Sequence, residues 1–189
     1  MPGLDDVFPA DLLLGLEDLA GRELWPARPH PQVLLTPPQK ADWSLPHLGW
    51  HLDVASPNRD EIPGIQVFVL IDDVAPRGGG TVAIAGSHRL HGARGGAVAS
   101  AHEALRSDPV YATLFSPGGA HATDFFQPRS VRGSFVHAME MAGEAGDAYL
   151  TDMRVLHAAA PNATKRPRLM LTNRYLDRQI DGASTRGGR

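Results

Sequence analysis

The sequence contains no cysteine, and lysine is nearly as scarce, because Lys40 and Lys165 are the only two among 18 basic residues. The absence of cysteine excludes disulfides, thiolate metal sites and cysteine nucleophiles. A net charge of −3 provides no basic field of the kind that gathers nucleic acid. We therefore expect no nucleic-acid partner.

Long apolar runs are also missing. No run approaches the roughly 20 residues of a membrane span, and the first residues, MPGLDDVFPADLLLGLEDL, are acidic where a secretion signal is basic. The sequence predicts a cytoplasmic protein with no membrane partner. Its 189 residues suit a single domain with one sizeable core.

Short β-strands are the main feature of the chain. One helix is predicted within residues 8–24, where leucines recur at a helical period, and another at 98–108. Apolar and alternating segments between glycine- and proline-rich turns predict strands at 32–36, 47–54, 64–74, 81–86, 134–141, 146–152 and 168–176.

This pattern favours a mainly β jelly-roll with a few flanking helices. We expect one domain over residues 1–180, with a short helical part at 1–30 and a disordered tail at 181–189.

The stretch GWHLDV places His51 and Asp53 two residues apart in an apolar run. Side chains at i and i+2 of a strand project to the same face, so this pair offers an imidazole and a carboxylate together. The alternative is a partly buried pair satisfied by backbone hydrogen bonds. A second histidine would complete the two-histidine, one-carboxylate triad of non-haem iron enzymes.

The best candidate for that histidine is His157, which follows a buried-looking strand and precedes a Pro-Asn turn. Arg168 stands eleven residues later at the start of another strand, where its guanidinium could hold a carboxylate through two hydrogen bonds. Arg166 and Arg174 are rivals for that role. Arg166 precedes a proline in the turn, whereas Arg174 could share the face of Arg168.

Three segments, WHLD, GGGTVAIAGSHRLH and GDAYLTDMRVLHAAAPNATKRPR, resemble the signature segments of the phytanoyl-CoA dioxygenase-like family. The similarity runs from about residue 48 to 176. The resemblance implies a double-stranded β-helix, a cupin-like jelly-roll, and an Fe(II)- and 2-oxoglutarate-dependent oxygenase.

Carried onto this chain, the resemblance makes His51, Asp53 and His157 the iron ligands and Arg168 the clamp on the distal carboxylate of 2-oxoglutarate. It places Thr81 and Gln66 where side chains contact the cosubstrate. The implied reaction consumes O2, converts 2-oxoglutarate to succinate and CO2, and hydroxylates or otherwise oxidises an unactivated C–H bond of a small molecule. A secondary metabolite is one candidate for that substrate, and the oligomeric state stays open.

Several other residues have a structural interpretation beside a functional one. His88 and His91 suit a loop after a strand, His137 could line the barrel, and Asn162 is expected to stabilise the turn that presents His157. The three glycines at 78–80 lack the lysine and the following helix of a phosphate-binding loop. Residues 115–133, with their aromatic side chains, form either a lid over the substrate or a surface loop.

Two other functions compete with the oxygenase. One is a cupin-type metalloenzyme, an isomerase or hydrolase, that uses the same ligands without 2-oxoglutarate. The other is a non-catalytic domain on a degenerate scaffold. Arg168 discriminates against the first, because an enzyme without this cosubstrate has no reason to keep a carboxylate clamp.

Overall fold

The protein is described by a computed structural model that covers residues 7–40, 42–54, 61–90, 97–117 and 123–177. The helices are α1 (Ala10–Ala20), α2 (Ala97–Arg106) and α3 (Pro109–Leu114), with short 3-10 helices at Ser87–Arg89 and Thr123–Phe126. The strands of these residues are β1 (Trp25–Pro26), β2 (Gln32–Thr36), β3 (Gly64–Leu70), β4 (Thr81–Ala85), β5 (Arg129–Val131), β6 (Ser134–Glu140), β7 (Ala148–Asp152), β8 (His157–Ala159) and β9 (Arg168–Leu176).

The strands form two antiparallel sheets, as expected for the predicted jelly-roll. In the major sheet β9 is central: β1 and β2 pair with one edge of β9, and β3, followed by β7, pairs with the other. The minor sheet has the order β5-β6-β4-β8. Side chains from both sheets meet in a shared core, for example Phe68 and Met170 with Ala83. The fold class predicted from the sequence is confirmed.

The helices cover the outer faces of the sheets. Leu16 of α1 is fully buried against Val67 of β3 and Leu171 of β9, and α1 ends at Gly21 in the left-handed conformation. Leu105 of α2 and Leu114 of α3 belong to the apolar cluster on the minor sheet. The helices thus cover parts of the outer faces of both sheets.

The predicted strand at 47–54 is wrong. Gly49 has φ +81, which interrupts an extended backbone, and only His51 forms a β-bridge, with His157. The predicted loop at 115–133 is also partly wrong, because it contains a 3-10 helix and β5. The sequence reading missed α3, which begins with Pro109 after the N-cap Asp108.

Other segments match the prediction closely. Strands β2 and β9 have the predicted bounds, and α1, α2, β3, β4, β6 and β7 lie within the predicted segments to within one residue. The tail at 181–189 and His91 lie outside the described residues, and the extent of the domain stays a prediction. In the described part of the chain, no helix is long and apolar enough to span a membrane.

Candidate metal and cosubstrate site

His51, Asp53 and His157 come together at one end of the space between the sheets. Their ligand atoms all lie within 4.8 Å of one another. Two backbone hydrogen bonds hold the segments: His51 N–H donates to the His157 carbonyl at 3.0 Å, and His157 N–H donates back at 3.1 Å. The single β-bridge at His51 therefore takes the place of the predicted strand, because it holds His51 beside His157 of β8.

Both histidines are oriented by carbonyl oxygens. The Nδ1 of His51 lies 2.8 Å from the Gly49 carbonyl, and the Nδ1 of His157 lies 3.0 Å from the Val155 carbonyl. A carbonyl can only accept, so each Nδ1 carries a hydrogen and each Nε2 is the nitrogen available to a metal. This is the second contact that metal-binding histidines usually make.

Asp53 is nearly buried and its two oxygens have different surroundings. Its Oδ1 lies 2.9 Å from Nη2 of Arg174, and its Oδ2 lies 3.4 Å from Nε2 of His157. Burial alone would raise the pKa of Asp53, but His157 and Arg174 together hold that pKa below its usual value. The carboxylate is ionised at neutral pH.

A divalent metal fits this donor set. Asp53 Oδ2 is buried and, among the described residues, receives no hydrogen bond, although a buried polar atom is costly without a partner. Two imidazole nitrogens and one carboxylate oxygen form the facial arrangement that suits non-haem iron and leaves further positions open. A metal ion at the centre of the triad would satisfy Oδ2.

Arg168 points into the same region and is held rigidly. Its Nε donates to the Gly79 carbonyl at 2.6 Å and its Nη1 to the Leu34 carbonyl at 3.2 Å, while Nη2 donates to Thr36 Oγ1. Burial lowers the pKa of Arg168 to about 10, with the charge of Glu140 opposing the shift. The guanidinium stays charged at neutral pH and keeps two of its five N–H groups for an anion.

The loop Gly78–Gly80 forms the support behind Arg168. Gly79 has φ +81, and a Cβ there would come within 2.7 Å of Asn162 and 2.9 Å of Thr36. Below the loop, Glu140 accepts a hydrogen bond from Arg77 N–H at 2.7 Å. Burial raises the pKa of Glu140, although the N–H groups of Arg77, Gly80 and Gly79 act against that rise. The three glycines thus serve close packing rather than phosphate binding.

One cavity of about 400 Å³ joins the triad to Arg168. Its lining residues come from β2, β3, β4, β8, β9 and the His51 bridge, and they are Val33, Leu34, Leu35, Thr36, His51, Gln66, Phe68, Thr81, His157, Ala158, Ala159, Arg168, Thr172 and Arg174. Most of these side chains are polar, so the cavity has a polar interior.

The predicted cosubstrate residues Thr81 and Gln66 also line this cavity, and both are buried. Gln66 Nε2 donates to Thr172 Oγ1 at 3.2 Å, while Gln66 Oε1 has no hydrogen-bond partner among the described residues. Thr36, Thr172 and the Asp53 contact of Arg174 were missed from the sequence. The pairing of β9 with β2 and β3 places these residues at the site, and no sequence motif indicates that pairing.

The other candidates have mainly structural surroundings. Asn162 holds its turn by donating to the carbonyls of Thr36 and Arg166 and by accepting from Thr164, as predicted. His137 lies on β6 and is not among the cavity residues. His88 lies in the 3-10 helix after β4.

The aromatic segment before β5 is anchored to the helices rather than to the cavity. Phe125 is fully buried against Tyr111, Arg129 pairs with Asp108, and Arg132 pairs with Glu103. These contacts favour the structural interpretation of this segment over a lid.

Comparison with known proteins gives a family and a set of similar folds. The model of the family described as phytanoyl-CoA dioxygenase (PhyH) matches residues 17–170. AviO1 from Streptomyces viridochromogenes Tue57 superposes with a TM-score of 0.55 at 17% identity, over 93% of this chain and 61% of AviO1. None of the curated proteins matches the chain.

Another similar structure is the non-heme alpha ketoglutarate dependent epimerase SnoN from nogalamycin biosynthesis. It has a TM-score of 0.55 at 22% identity, and the match covers 90% of this chain and 56% of SnoN. The structure of SnoN in complex with Fe3+, alpha ketoglutarate and nogalamycin RO has a TM-score of 0.54 at 21% identity. The match covers 90% of this chain and 57% of that one. This chain thus spans about three fifths of the length of these proteins.

Proposed function

We propose, from the premise that this chain belongs to the phytanoyl-CoA dioxygenase family, that it is an Fe(II)- and 2-oxoglutarate-dependent dioxygenase. The proposal depends on one observation: His51, His157 and Arg168 line a single cavity, and Asp53 completes the triad beside it. A metal-binding triad and a buried, partly unpaired cation in one cavity match an iron ion chelated by a dianion.

Each residue has a distinct role in this proposal. His51, Asp53 and His157 hold the iron, and Arg168 binds the distal carboxylate of 2-oxoglutarate. Thr81 and Gln66 contact the cosubstrate from the cavity wall. When bound, the iron and 2-oxoglutarate supply the oxidation, in which O2 is consumed, the cosubstrate becomes succinate and CO2, and one oxygen atom enters the substrate.

The protein supplies orientation and a partly dry environment. The carbonyls of Gly49 and Val155 fix both imidazoles, so that Nε2 is the ligand atom in each. The Gly79 and Leu34 carbonyls keep Arg168 from moving toward the triad. Because Arg168 is buried, its attraction for a carboxylate is stronger than that of an exposed arginine.

The substrate in this proposal is a small molecule, with a secondary metabolite as the favoured class. The similar structure SnoN comes from nogalamycin biosynthesis, and a cavity of about 400 Å³ has the size of a small-molecule site. Asp53 favours hydroxylation over halogenation, because the carboxylate takes the position that a halide would need. A cytoplasmic location stays a prediction.

The cupin-type alternative, without 2-oxoglutarate, has less support. It explains the triad but gives no role to the two N–H groups for which Arg168 has no partner among the described residues. It would also leave the three hydrogen bonds that fix Arg168 without a purpose.

Two measurements test the proposed function. Under anaerobic conditions, Fe(II) and 2-oxoglutarate together should produce the weak visible charge-transfer band of the chelate, and admission of air should release succinate. His51→Ala should lose metal binding, and Arg168→Ala should bind metal but need far more 2-oxoglutarate. Arg132→Ala, which removes an exposed arginine paired with Glu103, is the matched control. A wild-type protein that binds iron without a chelate band and forms no succinate favours the cupin alternative.

A further inference from the structure

Arg174 is a second, partly buried cation of the site, and it lies on the same strand as Arg168. The two residues are six positions apart in β9, so their side chains project to the same face of the sheet. Arg168 reaches the region of Thr36, whereas Arg174 reaches Asp53 at 2.9 Å. The strand thus presents one guanidinium to each half of the cavity.

We propose that Arg174 is a positioning residue that fixes Asp53 as a metal ligand through one oxygen only. This inference rests on the proposed function, because it requires that Asp53 bind the metal. From the sequence alone, Arg174 was only a rival candidate for the role of Arg168.

The contacts of Asp53 support this assignment. Arg174 Nη2 occupies Oδ1, while Oδ2 faces His157 Nε2 and has no hydrogen-bond donor among the described residues. The backbone of Asp53 is fixed as well, since its N–H donates to the Met153 carbonyl at 3.2 Å. The carboxylate therefore cannot rotate to exchange its oxygens without breaking an ion pair.

Ligation through one oxygen determines how many coordination positions of the metal stay open. A carboxylate that binds through both oxygens takes two of six positions, which with two histidines leaves only two. With Oδ1 held by Arg174, the triad takes three positions and leaves three. A chelating cosubstrate needs two of these, so the remaining position depends on Arg174.

Arg174 itself is placed for this role by the fold. Arg174 of β9 pairs with Gln66 of β3, and the Arg174 side chain is 28% exposed. Its Nε has no hydrogen-bond partner among the described residues, so the contact with Asp53 is the main restraint on the guanidinium. The rival role is a second clamp for a carboxylate of the cosubstrate or substrate.

Cobalt(II) titration of the purified chain separates these roles, because the Co(II) absorption spectrum reports coordination number and geometry directly. In Arg174→Met the affinity for Co(II) should fall about 10- to 100-fold, the usual effect of losing a residue that orients a ligand. The Co(II) spectrum should also change, because Asp53 is then free to bind through both oxygens or to turn away. Arg174→Lys should recover part of the affinity and the wild-type spectrum.

The controls keep a folding defect apart from a local effect. Arg129→Met removes another arginine–aspartate pair, with Asp108 at 3.3 Å, outside the cavity, and should leave Co(II) binding unchanged. Circular dichroism should show that each variant is folded, and if Arg174→Met is not, the comparison of Arg174→Lys with wild type decides.

The outcomes distinguish the inference from the function on which it rests. Unchanged Co(II) affinity and spectrum in Arg174→Met, with a raised Kd for 2-oxoglutarate, would overturn the inference in favour of the clamp while leaving the dioxygenase intact. A wild-type chain that binds no Co(II) at all would overturn both.

Discussion

Thr36 and Arg168 face each other across β2 and β9, and the Thr36 hydroxyl accepts a hydrogen bond from the Arg168 guanidinium. The hydroxyl is 132 residues away in sequence and belongs to an edge strand that carries no recognisable motif. The position of Arg168, the proposed carboxylate clamp, thus depends on a strand that comes before the triad in the chain.

Thr36→Val should therefore weaken 2-oxoglutarate binding. A hydrogen bond to a charged group contributes about 1.5–3 kcal/mol, so the KM for 2-oxoglutarate should rise about tenfold or more while iron affinity stays the same. Thr36→Ser keeps the hydroxyl and should behave like wild type. An unchanged KM in the valine variant would mean that the Gly79 and Leu34 carbonyls suffice to hold Arg168.

Glu140→Gln should strengthen 2-oxoglutarate binding. The charge of Glu140 acts on Arg168 and opposes the approach of a dianion, whereas glutamine keeps an oxygen to accept from Arg77 N–H. We expect a several-fold lower Kd for 2-oxoglutarate near pH 8, measured by calorimetry of the protein loaded with Mn(II).

The effect of Glu140→Gln should shrink on acidification. Burial raises the pKa of Glu140 above its ordinary value of 4.5, so the wild-type side chain takes up a proton at a higher pH than a typical glutamate. Below that pKa both proteins are neutral at this position and should bind 2-oxoglutarate equally. A difference independent of pH would contradict the role of the charge.

Gly79→Ala should impair both stability and cosubstrate binding. The new Cβ would meet Asn162 and Thr36 at 2.7 and 2.9 Å, on a backbone with φ +81. Gly133→Ala is a matched control, because Gly133 has φ +80 and nothing within 4 Å of the added Cβ. The control should cost only the conformational penalty of about 1–2 kcal/mol, measured by urea unfolding.

Gly79→Ala should cost more than this control and should also raise the KM for 2-oxoglutarate, because the displaced Thr36 holds Arg168. Equal costs in the two variants, with an unchanged KM, would show that the contacts of Gly79 are not critical.

Asp108→Asn should lower stability in a way that depends on pH. Asp108 caps α3 through Val110 N–H and Tyr111 N–H and pairs with Arg129. Burial alone would raise the pKa of Asp108, but the Tyr111, Arg129 and Val110 contacts outweigh it and lower that pKa. A lowered carboxyl pKa stabilises the fold above the unfolded value of about 3.9.

This contribution of Asp108 is lost as the pH falls through the lowered pKa of the folded state. The asparagine variant still caps the helix, so it should be about 1 kcal/mol less stable than wild type at pH 7 and no less stable near pH 2. Chemical unfolding at both pH values measures the difference, and an equal deficit at both would refute the electrostatic origin.

The sequence predicted the three residues that the structure brings together, but for a reason that the structure modifies. His51 and Asp53 were expected on one face of a strand, whereas the backbone bends after the His51 bridge and the Met153 carbonyl holds Asp53. Both side chains still lie beside His157, because residues two positions apart stay close together in either geometry.

Strand pairing sets the limit of prediction for the rest of the site. That Thr36 faces Arg168 and that Gln66 reaches Thr172 follow from the registers of β9 with β2 and β3, and register depends on the whole sheet rather than on local pattern. The Asp53 contact of Arg174 could not be predicted for the same reason.

Strand β2 combines two kinds of position in five residues. Thr36 contacts Arg168 on the inner face of this strand, while Val33 and Leu35 lie half exposed on its outer face, paired with Leu171 and Leu169 of β9. Substitutions at the two outer positions can therefore leave the surroundings of the guanidinium intact. Thr36, by contrast, cannot lose its hydroxyl without removing one of the three hydrogen bonds that hold Arg168.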